Sequence, residues 1–107
     1  GINVATLDYM LGDRQKAQTL AETILRNLTD ETDLWIDATR GEAYLLAGKN
    51  MEAKEAYARF VERFKNQPRD IDSARKQIAR LRGYMEPQVQ AEWSDEELVR
   101  IFGPATE

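Results

Sequence analysis

The sequence predicts an all-α fold, a right-handed solenoid of two helical hairpins followed by a fifth helix and a short C-terminal capping helix. Apolar residues recur at helical spacing along most of the chain, and the 107 residues include only three prolines. A turn centred on glycine also occurs twice, because Gly12 and Gly48 are 36 residues apart, as are Ala17 and Ala53 after them. Repeated helical hairpins of this length are typical of solenoids, in which each hairpin buries its apolar face against its neighbour.

The first hairpin is predicted to comprise one helix over 2–11 and another over 13–28, separated by Gly12. The first helix is apolar on most sides, as expected for a helix that lies between neighbours. The second has one apolar stripe, which we expect to be buried. The residues of that stripe are Ala17, Leu20, Ala21, Ile24, Leu25 and Leu28.

The second hairpin is predicted from a polar loop over 29–33, a helix over 34–47 and a helix over 51–65. Gly48 is expected to end the third helix in the left-handed conformation, and Asn50 to cap the fourth. Gly41 predicts close helix packing, since a glycine inside a helix costs about 1 kcal/mol relative to alanine. The buried face of the fourth helix is expected to contain Ala53, Ala56, Tyr57, Phe60, Val61 and Phe64.

The third repeat is predicted to be incomplete. Pro68 interrupts the pattern, and Asp70 is expected to begin a fifth helix that runs to about residue 84. We expect this helix to direct Ile71, Ala74, Ile78 and Leu81 inward.

The residues after the fifth helix are predicted to form a linker rather than a second helix, because they contain Gly83, Pro87 and a polar run over 88–90. Ser94 and Glu97 then form a capping-box pattern that begins a short helix. We therefore divide the chain into a helical repeat domain over 1–84 and a linker with a capping or docking helix over 85–107. The apolar residues expected to cover the end of the stack are Leu98, Val99, Ile101 and Phe102.

The two tryptophans have different predicted roles. Trp35 is expected to pack in the core rather than act as an anchor for a partner, because large aromatic residues are buried on average. For Trp93 both roles remain open, since the residues around it are polar.

The charge distribution bears on the class of partner. The net charge of −4 argues against a general nucleic-acid-binding protein. Residues 59–82 nevertheless contain eight basic and three acidic residues, whereas 86–107 contain six acidic residues and one arginine. A nucleic-acid or nucleotide contact through the basic 59–82 segment therefore remains an alternative function.

The composition limits the available chemistry. The chain has no cysteine and no histidine, so it lacks the thiolate nucleophile, the commonest general base and the usual zinc ligands. We expect no catalysis, no cofactor and no metal. A small helical enzyme remains a second alternative, and it would require a concave pocket faced by a carboxylate of raised pKa.

The sequence also bears on location. No apolar run approaches the roughly 20 residues that a membrane-spanning helix needs, so we expect a cytoplasmic protein without membrane contact. Because the sequence starts at Gly1, we expect it to be a piece of a longer protein.

The turn glycines, the alanine five residues after each, Tyr57 and Phe60 resemble the tetratricopeptide consensus. The chain departs from it in having Ala21 where an aromatic is usual, and in placing the closing proline at Pro68. Residues 1–84 more closely resemble the tetratricopeptide-like region called the TRAF-binding domain in apoptosis signal-regulating kinases and its bacterial relatives. The motifs that carry this resemblance are Gly1-Ile2-Asn3-Val4-Ala5-Thr6-Leu7, Leu11-Gly12-Asp13, Trp35, Ala38-Thr39, Glu42-Ala43, Gly48 and Ala74-Arg75-Lys76-Gln77.

The resemblance implies a non-catalytic scaffold or protein-interaction module within a larger regulatory or signalling protein. In such solenoids the first helix of each hairpin lines the concave face. We predict a groove there for a protein or peptide with an acidic part, or for neighbouring domains of the parent chain. Because the end of the stack would expose apolar residues, association into a homo-oligomer remains an alternative. The predicted groove residues are Asn3, Thr6, Thr39, Glu42, Arg75, Lys76 and Arg80.

Overall fold

A computed structural model describes residues 1–105, and all regular secondary structure in that range is helical. The predicted all-α class is therefore confirmed. The radius of gyration of 13.0 Å matches the value of about 13 Å expected for a packed chain of this length. The seven helices are α1 Ile2–Met10, α2 Arg14–Asn27, α3 Ile36–Leu46, α4 Asn50–Arg63, α5 Pro68–Arg82, α6 Pro87–Glu92 and α7 Asp95–Phe102.

The turns of the first two hairpins have the same geometry. Gly12 and Gly48 lie in the left-handed region at φ +89° and +80°, which is the conformation predicted for Gly48. After α1 the Asp13 N–H donates to the carbonyl of Asp8 over 2.9 Å, and after α3 the Lys49 N–H donates to the carbonyl of Tyr44 over 2.8 Å. This bonding pattern satisfies carbonyls at the end of a helix and reverses the chain.

The start of α4 differs from the prediction. Lys49 is the N-cap residue without a side-chain hydrogen bond, and Asn50 is the first residue of the helix. The Asn50 side-chain oxygen instead accepts a hydrogen bond of 2.9 Å from the indole Nε1–H of Trp93. The predicted Asn50 cap is wrong, because a buried indole N–H far away in sequence takes up this acceptor.

The close packing predicted from Gly41 is confirmed. A Cβ atom at this position would lie only 2.7 Å from the ring of Tyr57, which is fully buried on α4. The absence of a side chain at Gly41 therefore lets α3 approach α4 and seat the Tyr57 ring between them.

We expect Gly41→Ala to lower the free energy of unfolding by about 1–3 kcal/mol, because a methyl group would overpack the site of the Tyr57 ring. Gly83→Ala is the matched control, since a Cβ there would be 3.6 Å from its nearest neighbour and φ is −61°. That change should be neutral or stabilise by about 0.4–1 kcal/mol. Urea unfolding of both variants tests this prediction. A Gly41→Ala protein as stable as the original chain would contradict the close packing of Gly41 on the Tyr57 ring.

The segment after α5 packs on the rest of the chain. Trp93 is 0% exposed, and its ring meets that of Tyr57 edge to face at 6.1 Å between centroids. The Arg82 guanidinium donates to the Trp93 carbonyl over 3.0 Å. α7 packs against α4 and α5, burying Leu98, Ile101 and Phe102, whereas Val99 is exposed. Thr106 and Glu107, which end the predicted capping segment, lie outside the described residues.

Two expectations about prolines are wrong for one reason. α5 begins at Pro68 rather than Asp70, and α6 begins at Pro87 inside the segment that we expected to be a linker. Proline lacks a backbone N–H, but the first residue of a helix has no intrahelical acceptor for one, so proline is well suited to that position. Both prolines therefore begin helices. The Ser94 cap of α7 is confirmed, since its hydroxyl accepts from the Glu97 N–H over 3.2 Å.

α1 packs against other helices on one side only, whereas the sequence predicted that most of its sides would be buried. Ala5 and Tyr9 are buried, and the helix packs on α2 and α3. Val4, Leu7 and Leu11 lie on the opposite side and are exposed.

Candidate partner-binding groove

A groove of about 520 Å³ runs between α3 and α5, with the first turn of α1 at one edge. Five of the seven predicted site residues line it. Asn3 comes from α1, Thr39 and Glu42 come from α3, and Lys76 and Arg80 come from α5. The groove is thus bordered by α1 and α3, which are the first helices of the two hairpins, and by α5. The other lining residues are Ile2, Trp35, Ala38, Tyr57, Ser73, Ala74 and Gln77.

The two remaining predicted residues lie elsewhere. Thr6 is buried beneath the groove, where its hydroxyl donates to the Glu42 carboxylate, so it supports a groove residue rather than lining the groove. Arg75 is directed away, because successive residues on a helix are turned by about 100°. It donates to Asp72 over 2.8 Å and lines a separate hollow beside Phe102. The prediction of Arg75 as a groove residue is therefore corrected.

Glu42 is the unusual ionisable group of the groove. Its side chain is half-buried and hydrogen-bonded to Thr6. Burial raises the pKa of the Glu42 carboxyl above its ordinary value of 4.5, while hydrogen bonds from Thr6 and Gln77 and the charge of Arg80 oppose this shift. Burial, together with the charge of Glu42, raises the pKa of the neighbouring Tyr57 hydroxyl.

The raised pKa of Glu42 predicts a specific pH dependence. Between pH 4.5 and the raised pKa, the folded chain binds more protons at Glu42 than the unfolded chain does, so stability falls as pH rises. Glu42→Gln removes this contribution. We expect the variant to gain stability relative to the original chain as pH increases through this interval, as measured by urea unfolding. A difference in unfolding free energy that is constant with pH would contradict the raised pKa.

Two cations border the groove on α5. The Lys76 ammonium is 3.0 Å from Asp72, and Arg80 donates to the side chain of Gln77 on its own helix. Hydrogen bonds from Arg75 and Lys76 lower the pKa of Asp72 to about 2, so this carboxylate is ionised at neutral pH and partly offsets Lys76. Arg80 has no carboxylate within salt-bridge distance among residues 1–105. It is therefore the stronger candidate to bind an incoming acidic group.

Trp35 lies at one end of the groove and is 40% exposed, so its predicted placement in the core is wrong. Its ring packs on those of Phe60 and Phe64 with centroid distances of 5.1 Å each. The aromatic pair supports one face of the indole while the rest remains accessible. Large aromatics held in this way are common energetic anchors of interfaces.

The charge of the basic 59–82 segment is only partly compensated within the described part of the chain. Five of its eight basic residues lie within salt-bridge distance of a carboxylate, such as Arg59 with Asp37 at 3.3 Å and Arg82 with Asp95 at 2.8 Å. The other three ion pairs join Lys65 to Glu62 and Arg75 and Lys76 to Asp72, whereas Arg63 and Arg80 contact the neutral Asp33 carbonyl and Gln77 side chain.

Residues 1–105 contain no group of three or more acidic side chains placed to hold a metal ion. None of the helices in this range has the length and apolar character that crossing a bilayer requires. Comparison with known proteins gives no match to a family model, to a curated protein or to a solved structure.

Proposed function

We propose that this chain is a non-catalytic protein-interaction module with a tetratricopeptide-like arrangement, similar to the TRAF-binding-domain region of apoptosis signal-regulating kinases. Its central groove binds an acidic segment of a partner protein. The observation that carries this proposal is that α1, α3 and α5 contribute polar and basic side chains, together with the exposed Trp35, to one groove.

Two contacts support the repeat arrangement. Thr6 and Glu42 lie 36 residues apart and are hydrogen-bonded. Tyr57 and Trp93 lie at the same spacing, and their rings are in contact. In a solenoid, equivalent positions of successive repeats stack on each other, so contacts between positions one period apart are expected. The short helices α6 and α7 then occupy the part of the sequence where a third repeat would have its second helix.

The groove favours a segment with both acidic and apolar residues. A carboxylate of the partner would pair with Arg80 and, more weakly, with Lys76, whose charge is shared with Asp72. An apolar side chain would pack on the open part of Trp35 beside Ala38. Asn3 and Thr39 supply hydrogen-bonding groups for the partner's backbone.

Selection of random dodecapeptides displayed on phage tests this function. The unaltered chain is the bait, and the Lys76→Glu/Arg80→Glu variant removes peptides that bind elsewhere. We expect the selected peptides to share acidic residues with an apolar residue nearby. Failure to enrich any sequence, or enrichment of peptides that bind the variant equally well, would count against the proposal.

The two alternatives are supported unequally. The nucleic-acid alternative is weakened because five of the eight basic residues of 59–82 are paired with carboxylates of the chain. The enzyme alternative retains one observation, because Glu42 faces a groove and its pKa is raised. Proton transfer by Glu42 would be abolished in Glu42→Gln, whereas binding of a selected acidic peptide should be retained or strengthened when this negative charge is removed.

A further inference from the structure

A second groove lies on the opposite side of α4, where α7 runs beside it. Its volume is about 450 Å³, and its apolar surface is provided by Met51, Ala58 and Val61 of α4, with the buried Ile101 of α7 among the lining residues. Met51 is 73% exposed, so its side chain presents apolar surface to solvent within this groove. None of these residues lines the central groove, so the two surfaces are separate.

The rim of this groove is acidic. The groove and the hollow that continues it past Lys54 are lined by five glutamates and two cations. Both cations are already neutralised within the chain, because Lys54 lies 2.9 Å from Glu92 and 2.8 Å from Glu97, and Arg100 also pairs with Glu97. Hydrogen bonds from Arg100 and Lys54 lower the pKa of the Glu97 carboxyl to about 2, so it is ionised at neutral pH.

The remaining carboxylates give the rim its net charge. Glu55 and Glu96 are exposed and form no ion pair within residues 1–105, and Glu62 has only an exposed pair with Lys65 at 3.4 Å. Exposed pairs of that kind contribute at most about 1 kcal/mol, so Glu62 is also available to a basic partner. An apolar strip with uncompensated carboxylates on its borders is complementary to a surface of apolar residues flanked by lysine or arginine.

The shape favours a helix as the occupant. Two helices side by side leave a groove into which the ridge of a third helix can pack. From Met51 to Glu62 the groove extends along about three turns of α4, close to 16 Å, which matches the apolar face of a short amphipathic helix. We propose that the α4–α7 groove is a second interaction surface, and that it binds the apolar face of a basic amphipathic helix from a partner protein.

A pair of designed peptides tests this inference. The basic probe is a five-turn helix with leucines along one face and lysines on both borders of that face. The acidic probe has glutamate in place of each lysine. We expect saturable binding of the basic probe, with amide shifts in the ¹⁵N–¹H spectrum confined to α4 and α7, and no binding of the acidic probe. Binding should weaken as salt rises, because the attraction at the rim is screened.

Variants identify the groups responsible. Glu55→Lys combined with Glu96→Lys should weaken binding of the basic probe by about tenfold or more, which corresponds to at least 1.4 kcal/mol. Met51→Ser should also weaken it. Glu22→Lys combined with Glu86→Lys is the matched control, because it changes the net charge equally at residues outside this groove, and it should alter the affinity only a few-fold. Glu55, Glu96 and Met51 are exposed, so the folded state should tolerate these changes.

Three results would overturn the inference: no saturable binding of the basic probe, equal binding to the Glu55→Lys/Glu96→Lys variant, or shifts located outside α4 and α7. Sedimentation velocity tests whether a second copy of this chain occupies the groove. A dimer that dissociates in the Met51→Ser variant would show that a second copy of this chain covers the groove instead of a partner helix.

Discussion

Replacement of Trp93 by alanine is expected to lower the free energy of unfolding by about 3–5 kcal/mol, a large part of the roughly 5–15 kcal/mol that stabilises a domain. Trp93 is completely buried, contacts Tyr57 and lies 5.5 Å below the Lys54 ammonium. Its indole N–H is also the donor to Asn50. The substitution would open a cavity and leave the Asn50 oxygen without this donor, so urea unfolding should show the loss directly.

Trp35→Ala is the matched control for this prediction. Because Trp35 is two-fifths exposed, its removal should cost only about 1–2 kcal/mol, in proportion to the smaller apolar area that it buries. Trp93→Phe keeps an aromatic ring, removes the indole N–H and leaves a smaller cavity than alanine does, so it remains informative if Trp93→Ala does not fold. A larger loss for Trp35→Ala than for Trp93→Ala would contradict the packing of the segment after α5.

Reversal of the charges of Lys76 and Arg80 should produce the largest effect on peptide binding. In Lys76→Glu/Arg80→Glu, two attractive contacts with an acidic peptide become repulsive beside the carboxylate of Glu42. A hydrogen bond to a charged group contributes about 1.5–3 kcal/mol, so we expect at least a hundredfold increase in Kd. Fluorescence anisotropy with a selected acidic peptide measures this.

Lys65→Glu combined with Arg69→Glu is the matched control, because it changes the net charge equally and both residues are exposed outside the groove. This control should alter Kd only a few-fold through long-range electrostatics. If both double variants weakened binding to the same extent, the peptide would respond to net charge rather than to the groove.

The hairpin turns and the helical periods could be predicted from local sequence because their physical causes are local. Gly12 and Gly48 each adopt a conformation that side chains disfavour, and the apolar stripes of α2 and α4 follow from helical spacing. The roles of Pro68 and Pro87 were predicted wrongly because a proline between two helices can either lie in the linker or be the first residue of the next helix. The residues around the proline do not distinguish these two cases.

The two tryptophans could not be assigned from local sequence because their surroundings come from distant parts of the chain. Trp93 is buried by residues of α4 some forty positions earlier, such as Asn50 and Lys54. One signal was available, since Trp93 follows Tyr57 by the same 36 residues that separate the turn glycines. Extending the repeat beyond α5 would have predicted both its burial and a helical segment around it.

The groove could be predicted in outline because the first helices of the hairpins were identified correctly. Arg75 was misplaced because a sequence places the boundary between two helix faces only to within about one residue, or 100° of rotation. Thr6 and Glu42 were recognised as polar residues of these helices, but their hydrogen bond depends on how α1 and α3 pack. Neither position could be distinguished as supporting or lining the groove without the structure.

The most direct test of the proposed function is to map the ¹⁵N–¹H shifts of the labelled chain during titration with a selected acidic peptide. The account predicts saturable shifts at Asn3, Thr39 and Gln77 and at the Nε–H of Arg80, with the indole signal of Trp35 also affected and that of Trp93 unchanged. Shifts concentrated on α2, or along α4 and α7, with the central groove unaffected, would contradict the assignment of the groove as the site where this chain binds its partner.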